Sequence, residues 1–391
     1  EQHELPILAH GPTDPAPSPD GQILAIAARG WIWQLDLATG EATQLTKGAG
    51  VDSRPRWSPD GQKLAIVRDN GSDTSIVILN AENSQVQVIN TPTIELDPEF
   101  SADGQSLYYT SGVGDKLSLW QRHLASGADT QLTDLPQVER NARRLPSRDG
   151  IVYLHGDGPH RVLRERDFVA GTDAIVHAET LTYHLTADSH PRERLIVYSA
   201  PIDNAYHLWT MDLDDTGVTH RLTNGDAYAL TPAFSADGET VYFVEADDAR
   251  QFQLRRIATY GGEPQTINIR QWSGRSPTGT VLLSVLDVSD QPVSARITIT
   301  REDGHPVASH QDATYFDSQT GRYYFYVDGK VDIALPAGRY TALIARGPMA
   351  PLIEREFRVR ESRETTVTAV LTPIWDAAAA GYVSADHHVH L

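Results

Sequence analysis

No cysteine occurs among the 391 residues, so disulfides and thiolate metal sites are excluded from the start. Basic residues are scarce beside acidic ones, 33 against 52, and the resulting net charge of −19 opposes a phosphate backbone or an anionic lipid surface as partner. Nucleic acid is therefore not an expected ligand. No apolar run approaches the roughly 18 to 20 residues needed to span a bilayer, and no apolar signal segment is visible. The chain begins at Glu1 and not at a methionine, which fits either a removed leader or a trimmed chain. Freedom from cysteine suits an extracytoplasmic protein as well as a cytosolic one, so composition leaves the compartment open.

What the sequence does contain is turn chemistry and short apolar runs. Glycine (29) and proline (23) punctuate runs such as Ile23 to Ala28 and Val241 to Val244, which predicts many short strands and an all-β fold. The length predicts two or three domains. A tetrapeptide recurs: Ser18-Pro19-Asp20-Gly21, Ser58-Pro59-Asp60-Gly61, Ser101-Ala102-Asp103-Gly104, Ser147-Arg148-Asp149-Gly150 and Ser235-Ala236-Asp237-Gly238, with Thr186-Ala187-Asp188 as a weaker copy. Each precedes a β-rich run, as Asp-Gly supplies a hairpin turn and the next strand follows it. A closing Leu-Thr recurs too, at Leu45-Thr46, Leu132-Thr133 and Leu222-Thr223. Four strands per unit and six units predict radial repetition, which leaves few unprotected sheet edges.

The repeated serine-to-glycine turn with its closing Leu-Thr resembles the TolB-like or WD40-like propeller repeat from about residue 12 to residue 270. The resemblance implies a six-bladed TolB-like β-propeller over residues 1–272. Ring closure is expected to use the spare segment Leu5-Pro6-Ile7-Leu8. In a propeller the innermost strands line an axial channel, and the residue four before each turn is the expected lining position. These are Asp14, Arg54, Asp97, Arg143, Thr182 and Thr231. Two readings stay open for them: a polar pocket for a small-molecule ligand or an envelope protein's terminus, or a hydrated channel with self-compensating charges.

After Trp272 the texture changes. Residues 273–280 read as a linker, and 273–374 predict about seven short strands of a small β-sandwich, opened by a hairpin of Val281 to Asp287 with Ala295 to Thr300. Leu335-Pro336-Ala337-Gly338-Arg339-Tyr340-Thr341 resembles carboxypeptidase-regulatory-like and related Ig-like modules, which implies a spacing role. Residues 375–391 end in Asp386-His387-His388-Val389-His390-Leu391, where alternation along a strand puts His388 and His390 on one side with Asp386. Neutral imidazole suits a divalent metal such as Zn, Fe or Mn, with Asp386 as a ligand, a bridge or an orienting group. The other histidines, among them His155, His160, His184, His190 and His207, lack ligand spacing and read as surface or satisfied polar groups.

This last segment resembles the D-x-H-x-H motif that opens the barrel of PHP-superfamily, CehA/McbA-like metallohydrolases. The resemblance implies metal binding by His388 and His390 and a β/α-barrel domain for which this is only the first strand. The expectation is the propeller and Ig-like portion of a periplasmic or secreted metal-dependent hydrolase of esters, amides, carbamates or phosphoesters. Its partner would be a C-terminal catalytic domain or chain, and this polypeptide would be inactive alone because two imidazoles do not fill such a site. The alternative is a TolB-like envelope protein-binding module without catalysis. A prolyl-oligopeptidase-like enzyme is excluded by the lack of a G-x-S-x-G elbow.

Overall fold

The structure, a computed structural model, describes residues 8–156, 160–180, 182, 185–247, 251–311, 313–375 and 379–383. The fold is all-β, every regular element among them being a strand. No helix of the described residues is long and apolar enough to cross a membrane. The chain divides into two compact units, Glu1–Gly274 and Arg275–Leu391.

The first unit holds six antiparallel sheets, each built from four consecutive strands; we number them in chain order. Their innermost strands are Thr13–Pro17, Val51–Trp57, Glu95–Phe100, Glu139–Arg144, Thr186–Ser189 and Tyr228–Phe234. Each lies beside the next, and the sixth lies beside the first, so they form a closed cycle. Alternation along the second strand of each sheet explains the packing, because successive side chains point to opposite neighbours. In sheet 1, Ala25 and Ala27 face Leu64 and Ile66 of sheet 2, while Leu24 and Ile26 pack with Tyr242 and Leu254 of sheet 6. Both faces of these strands are buried, which is why they read as unbroken apolar runs.

The recurring tetrapeptide folds as a closed hydrogen-bond unit. Ser58 donates its hydroxyl to Asp60 at 2.6 Å, Asp60 accepts the amide of Gln62 at 3.0 Å, and the Ser58 amide donates to the Lys63 carbonyl at 2.9 Å. Gly61 takes φ +69, a region open to glycine at no steric cost. The same bonds recur at Ser18, Ser101 and Ser235.

Two turns depart from the sequence expectation. In sheet 5, Thr186-Ala187-Asp188 is not the turn but most of the innermost strand, and the turn begins at His190. The His190 amide donates to the Leu195 carbonyl at 2.8 Å, and its Nδ1 accepts the amides of Arg192 and Glu193 at 3.2 and 2.8 Å, so an imidazole does what serine and aspartate do elsewhere. In sheet 4 the turn begins at Leu145, whose amide donates to the Gly150 carbonyl at 2.9 Å, two residues before Ser147.

Closure also differs. Sheet 6 completes itself with Gln265–Thr266, and the extra strand Gln271–Ser273 runs parallel along Glu41–Gln44 as a fifth strand of sheet 1. Leu5, Pro6 and Ile7 lie outside the described residues, and Leu8 is buried without joining a strand. Trp272 then meets Trp33 edge-on at 4.8 Å, with the Arg29 guanidinium 4.5 Å above the Trp272 ring.

The second unit has a three-stranded sheet centred on Thr278–Asp287 and a five-stranded sheet in which Ser294–Arg301 lies between Arg322–Asp328 and Gly338–Ala345. The expected hairpin of the first two strands is therefore not formed, since Thr278–Asp287 pairs instead with Lys330–Pro336 and, in parallel, with Glu364–Leu371. Only the bridge Leu286 to Pro292 remains of it. One apolar cluster, including Val281, Ile333 and Ala369 from one sheet and Ile297, Phe325 and Ile344 from the other, forms the shared core. Packing two inner faces is worth more to these alternating strands than a local pair with one face wet.

Candidate axial binding site

Five of the six innermost strands carry a residue in the left-handed region at one equivalent position: Asp14 (φ 50), Arg54 (φ 50), Asp97 (φ 53), Asn141 (φ 57) and Thr231 (φ 48). Pairing with the second strand slips at each of these places. Such a bulge bends the strand and re-aims a side chain, at a cost of roughly 1 to 2 kcal/mol for a residue with a Cβ. Thr231, being β-branched, is the least comfortable of the five. The fifth strand pairs regularly from Thr186 to Ser189.

The bulged residues converge on a cavity of about 120 Å³ to which all six sheets contribute. Among the described residues, Arg54, Arg56, Arg140, Arg143 and Arg161 line it together with the acids Asp14 and Asp97. Asp97 is held by Arg54 at 2.7 Å, by Arg140 at 3.2 Å and by the Thr110 hydroxyl at 3.2 Å. A second cavity of about 270 Å³ lies at the turns, walled by Pro19, Pro59, Pro146 and Pro191. Arg56 belongs to both. Around it Arg144 sits 3.1 Å from Glu99, while Arg56 stands 3.8 Å from Glu99 and 3.9 Å from Asp188, and Arg143 stands 4.0 Å from Asp188.

Electrostatics in this enclosure are governed by burial. Desolvation pushes Arg140 down to about 9, helped by the nearby Arg161 and Arg143 guanidinium groups. It pushes Arg143 to about 10, with Arg56 as the next cause. Arg143 donates one Nη to the Ala142 carbonyl at 2.8 Å, but its Nε is buried without a hydrogen-bond partner among the described residues. The Asn141 Oδ1, Thr186 Oγ1 and Thr231 Oγ1 atoms share that condition. Leu230, Val244 and Phe252 of sheet 6, with Leu154 and Leu185, add apolar lining.

Of the residues expected from the repeat, Asp14, Arg54, Asp97, Arg143 and Thr231 line this cavity. Thr182 does not; it is fully buried, with its hydroxyl 3.3 Å from that of Tyr206. The position equivalent to the others in sheet 5 is Thr186, four before His190, and in sheet 4 it is Asn141, four before Leu145. Both follow from the true turn positions, which the altered turn residues conceal. Arg56, Arg140 and Arg161 carried no signal in the repeat. Asp386, His388 and His390 lie outside the described residues, and no group of three His, Cys, Asp or Glu placed to hold a metal occurs among the described ones.

A profile of the TolB beta propeller domain matches residues 12–217, just over half of the chain. An uncharacterized peptidase of Bacillus subtilis, YuxL, is 30% identical over 122 residues, 28% of this chain and 19% of its own length. The chain thus spans under a fifth of that relative. The uncharacterized protein Atu1656 of Agrobacterium fabrum is 25% identical over 248 residues, 59% of this chain and 81% of that protein. Among solved structures, TolB of Acinetobacter baumannii is 20% identical and superposes with a TM-score of 0.47, covering 63% of this chain and 60% of that one.

Proposed function

This chain belongs to the TolB beta propeller domain family, and from that footing we propose that its six sheets are the blades of a six-bladed propeller whose axial cavity recognises a ligand. The observation that carries the reading is the set of five left-handed residues aimed at one cavity, since strain repeated around a ring persists where it serves a site. In this proposal the propeller and an Ig-like second unit form the recognition portion of a periplasmic or secreted metal-dependent hydrolase. Support comes from the Bacillus relative, which is named a peptidase and matches over a small share of its length, as an accessory portion would. His388 and His390, with Asp386, would hold a divalent metal that supplies Lewis-acid activation of the scissile bond, and other donors would have to complete its coordination.

Two measurements test this. In a thermal-shift panel of chemically diverse small molecules, at least one class should raise the melting temperature of the chain, and Thr186→Phe, which puts a phenyl ring in the cavity, should abolish that shift. A shift unchanged by the substitution, or none with any class, would falsify the recognition reading. The chain should also show no turnover of nitrophenyl esters or phosphoesters with Zn, Fe or Mn added. Chelator-sensitive turnover would mean that a complete catalytic centre lies within these residues.

A further inference from the structure

We infer that Asn224 is a site of spontaneous covalent modification, at which the Gly225 backbone nitrogen closes on the Asn224 side chain and converts it to aspartate or isoaspartate. Neither the axial cavity nor a ligand enters into it. An asparagine followed by glycine carries the reacting groups side by side in the chain. Its Cγ and the nitrogen of the next residue close a five-membered ring, and glycine has no Cβ to crowd the approach. Solvent hydroxide takes the amide proton, the nitrogen forms a bond to Cγ, the bond from Cγ to Nδ2 breaks and ammonia leaves. Water then opens the resulting succinimide at either carbonyl, giving aspartate in one direction and isoaspartate in the other.

The sequence offers this pair twice, as Asn70-Gly71 and Asn224-Gly225, and both asparagines are exposed. Residue type and accessibility therefore do not choose between them, but hydrogen bonding does. At the first pair the Gly71 amide donates to the carboxylate of the buried Asp69 at 2.7 Å. A nitrogen held in this way must first give up a charge-assisted bond, and the carboxylate beside it opposes the loss of its proton. The Asn70 Oδ1 is fixed as well, accepting the amides of Ser72 and Asp73 and the Ser72 hydroxyl, each at 2.9 Å.

At the second pair the nitrogen is not so held. The Gly225 amide has no hydrogen-bond partner among the described residues. Gly225 is exposed, and a Cβ placed on it would meet nothing within 4 Å, which leaves the approach of water open. The carbonyl is meanwhile activated, since Asn224 Oδ1 accepts a bond from the Arg221 guanidinium, which lies 6.0 Å from the Trp209 ring centroid. A cationic donor on that oxygen stabilises the negative charge that gathers there as the nitrogen adds. Conversion to aspartate leaves a carboxylate beside the same cation, so a bond to a neutral carbonyl becomes an ion pair. Residues 222–227 join Thr219–Arg221 of sheet 5 to Tyr228–Phe234, the innermost strand of sheet 6, so the isoaspartyl product lengthens the main chain in the link between two sheets.

The test is incubation of the 391-residue chain in mildly alkaline buffer, folded and in urea, with peptide mapping by mass spectrometry at intervals. In the folded chain, conversion at Asn224 should run about tenfold or more faster than at Asn70, the factor expected for releasing one hydrogen bond to a charged acceptor. In urea the rates should draw together, because the bonds that distinguish the sites are gone. The Asn224 peptide should yield aspartate and isoaspartate forms of equal mass, and Asn224→Gln should remove the main acidic variant of the folded chain. Persistence of that variant in Asn224→Gln, no conversion at Asn224, or conversion at Asn70 as fast as at Asn224 in the folded chain overturns the inference. A preference for Asn224 that is undiminished in urea overturns it too, since neighbouring residues and not the fold would then set the rates.

Discussion

Glu95 opens the innermost strand of sheet 3 fully buried, and desolvation pushes its carboxyl up to about 7 from an ordinary 4.5. The Thr91 amide at 3.1 Å and the Thr91 and Ser111 hydroxyls oppose that rise without cancelling it. Because the folded-state pKa is raised, the native state binds the proton more tightly than the unfolded chain between these two values. The favourable contribution of the protonated carboxyl is present below about pH 4.5 and is lost as pH rises through about 7. Stability should thus fall across that window by on the order of 1 to 3 kcal/mol from this group. Glu95→Gln should flatten that part of the profile, read as urea midpoints from pH 5 to 8; a variant profile parallel to wild type would remove Glu95 as the cause.

At the scale of elements, the turn decides how much a residue change costs. Gly21 and Gly238 occupy the same place in their hairpins with φ +73 and +77. A Cβ on Gly21 meets nothing within 4 Å, whereas one on Gly238 meets His190 Nε2 at 2.0 Å. Gly21→Ala should cost roughly 1 kcal/mol from backbone strain alone. Gly238→Ala should cost about 2 kcal/mol more, because His190 is pinned by two amides and by edge contact with Phe234 at 5.1 Å. Equal denaturant midpoints for the two variants would show that the imidazole can move aside. In the fifth sheet His190 completes the hairpin through bonds that no serine-to-glycine pattern describes.

At the scale of the molecule, closure concentrates on one short strand. Gln271–Ser273 brings the end of the first unit back to Glu41–Gln44, more than two hundred residues earlier in the chain, with the Ser273 hydroxyl 2.6 Å from Glu41. Trp272 anchors it between Trp33 and Arg29. Trp272→Ala should cost about 2 kcal/mol through lost apolar contact and cation–π attraction, seen as a lower midpoint for the first unit. It should also raise amide exchange along Glu41–Gln44, where the parallel pairing is made. Exchange left unchanged there would place the clasp elsewhere. The join also explains the packing on either side of it, because Leu24 and Ile26 of sheet 1 and Tyr242 of sheet 6 can share a core only when the cycle is shut.

The sequence by itself determined the all-β class, the turns at Ser18, Ser58, Ser101 and Ser235, and through them Asp14, Arg54, Asp97 and Thr231 as neighbours in one cavity. These are local properties: a serine, an aspartate and a glycine at fixed spacing close a hairpin wherever they occur, and counting back from it locates the bulge. Only the tertiary structure decided that Thr186 and Asn141 hold the equivalent places in the other two sheets, that Arg56, Arg140 and Arg161 join them, and that closure comes from residues 271–273. The reason is that these depend on which strands become neighbours, and burial chooses among pairings that local spacing leaves equal. The same holds in the second unit, where Thr278–Asp287 and Ser294–Arg301 look like a hairpin along the chain but part company because a shared core between two sheets buries both.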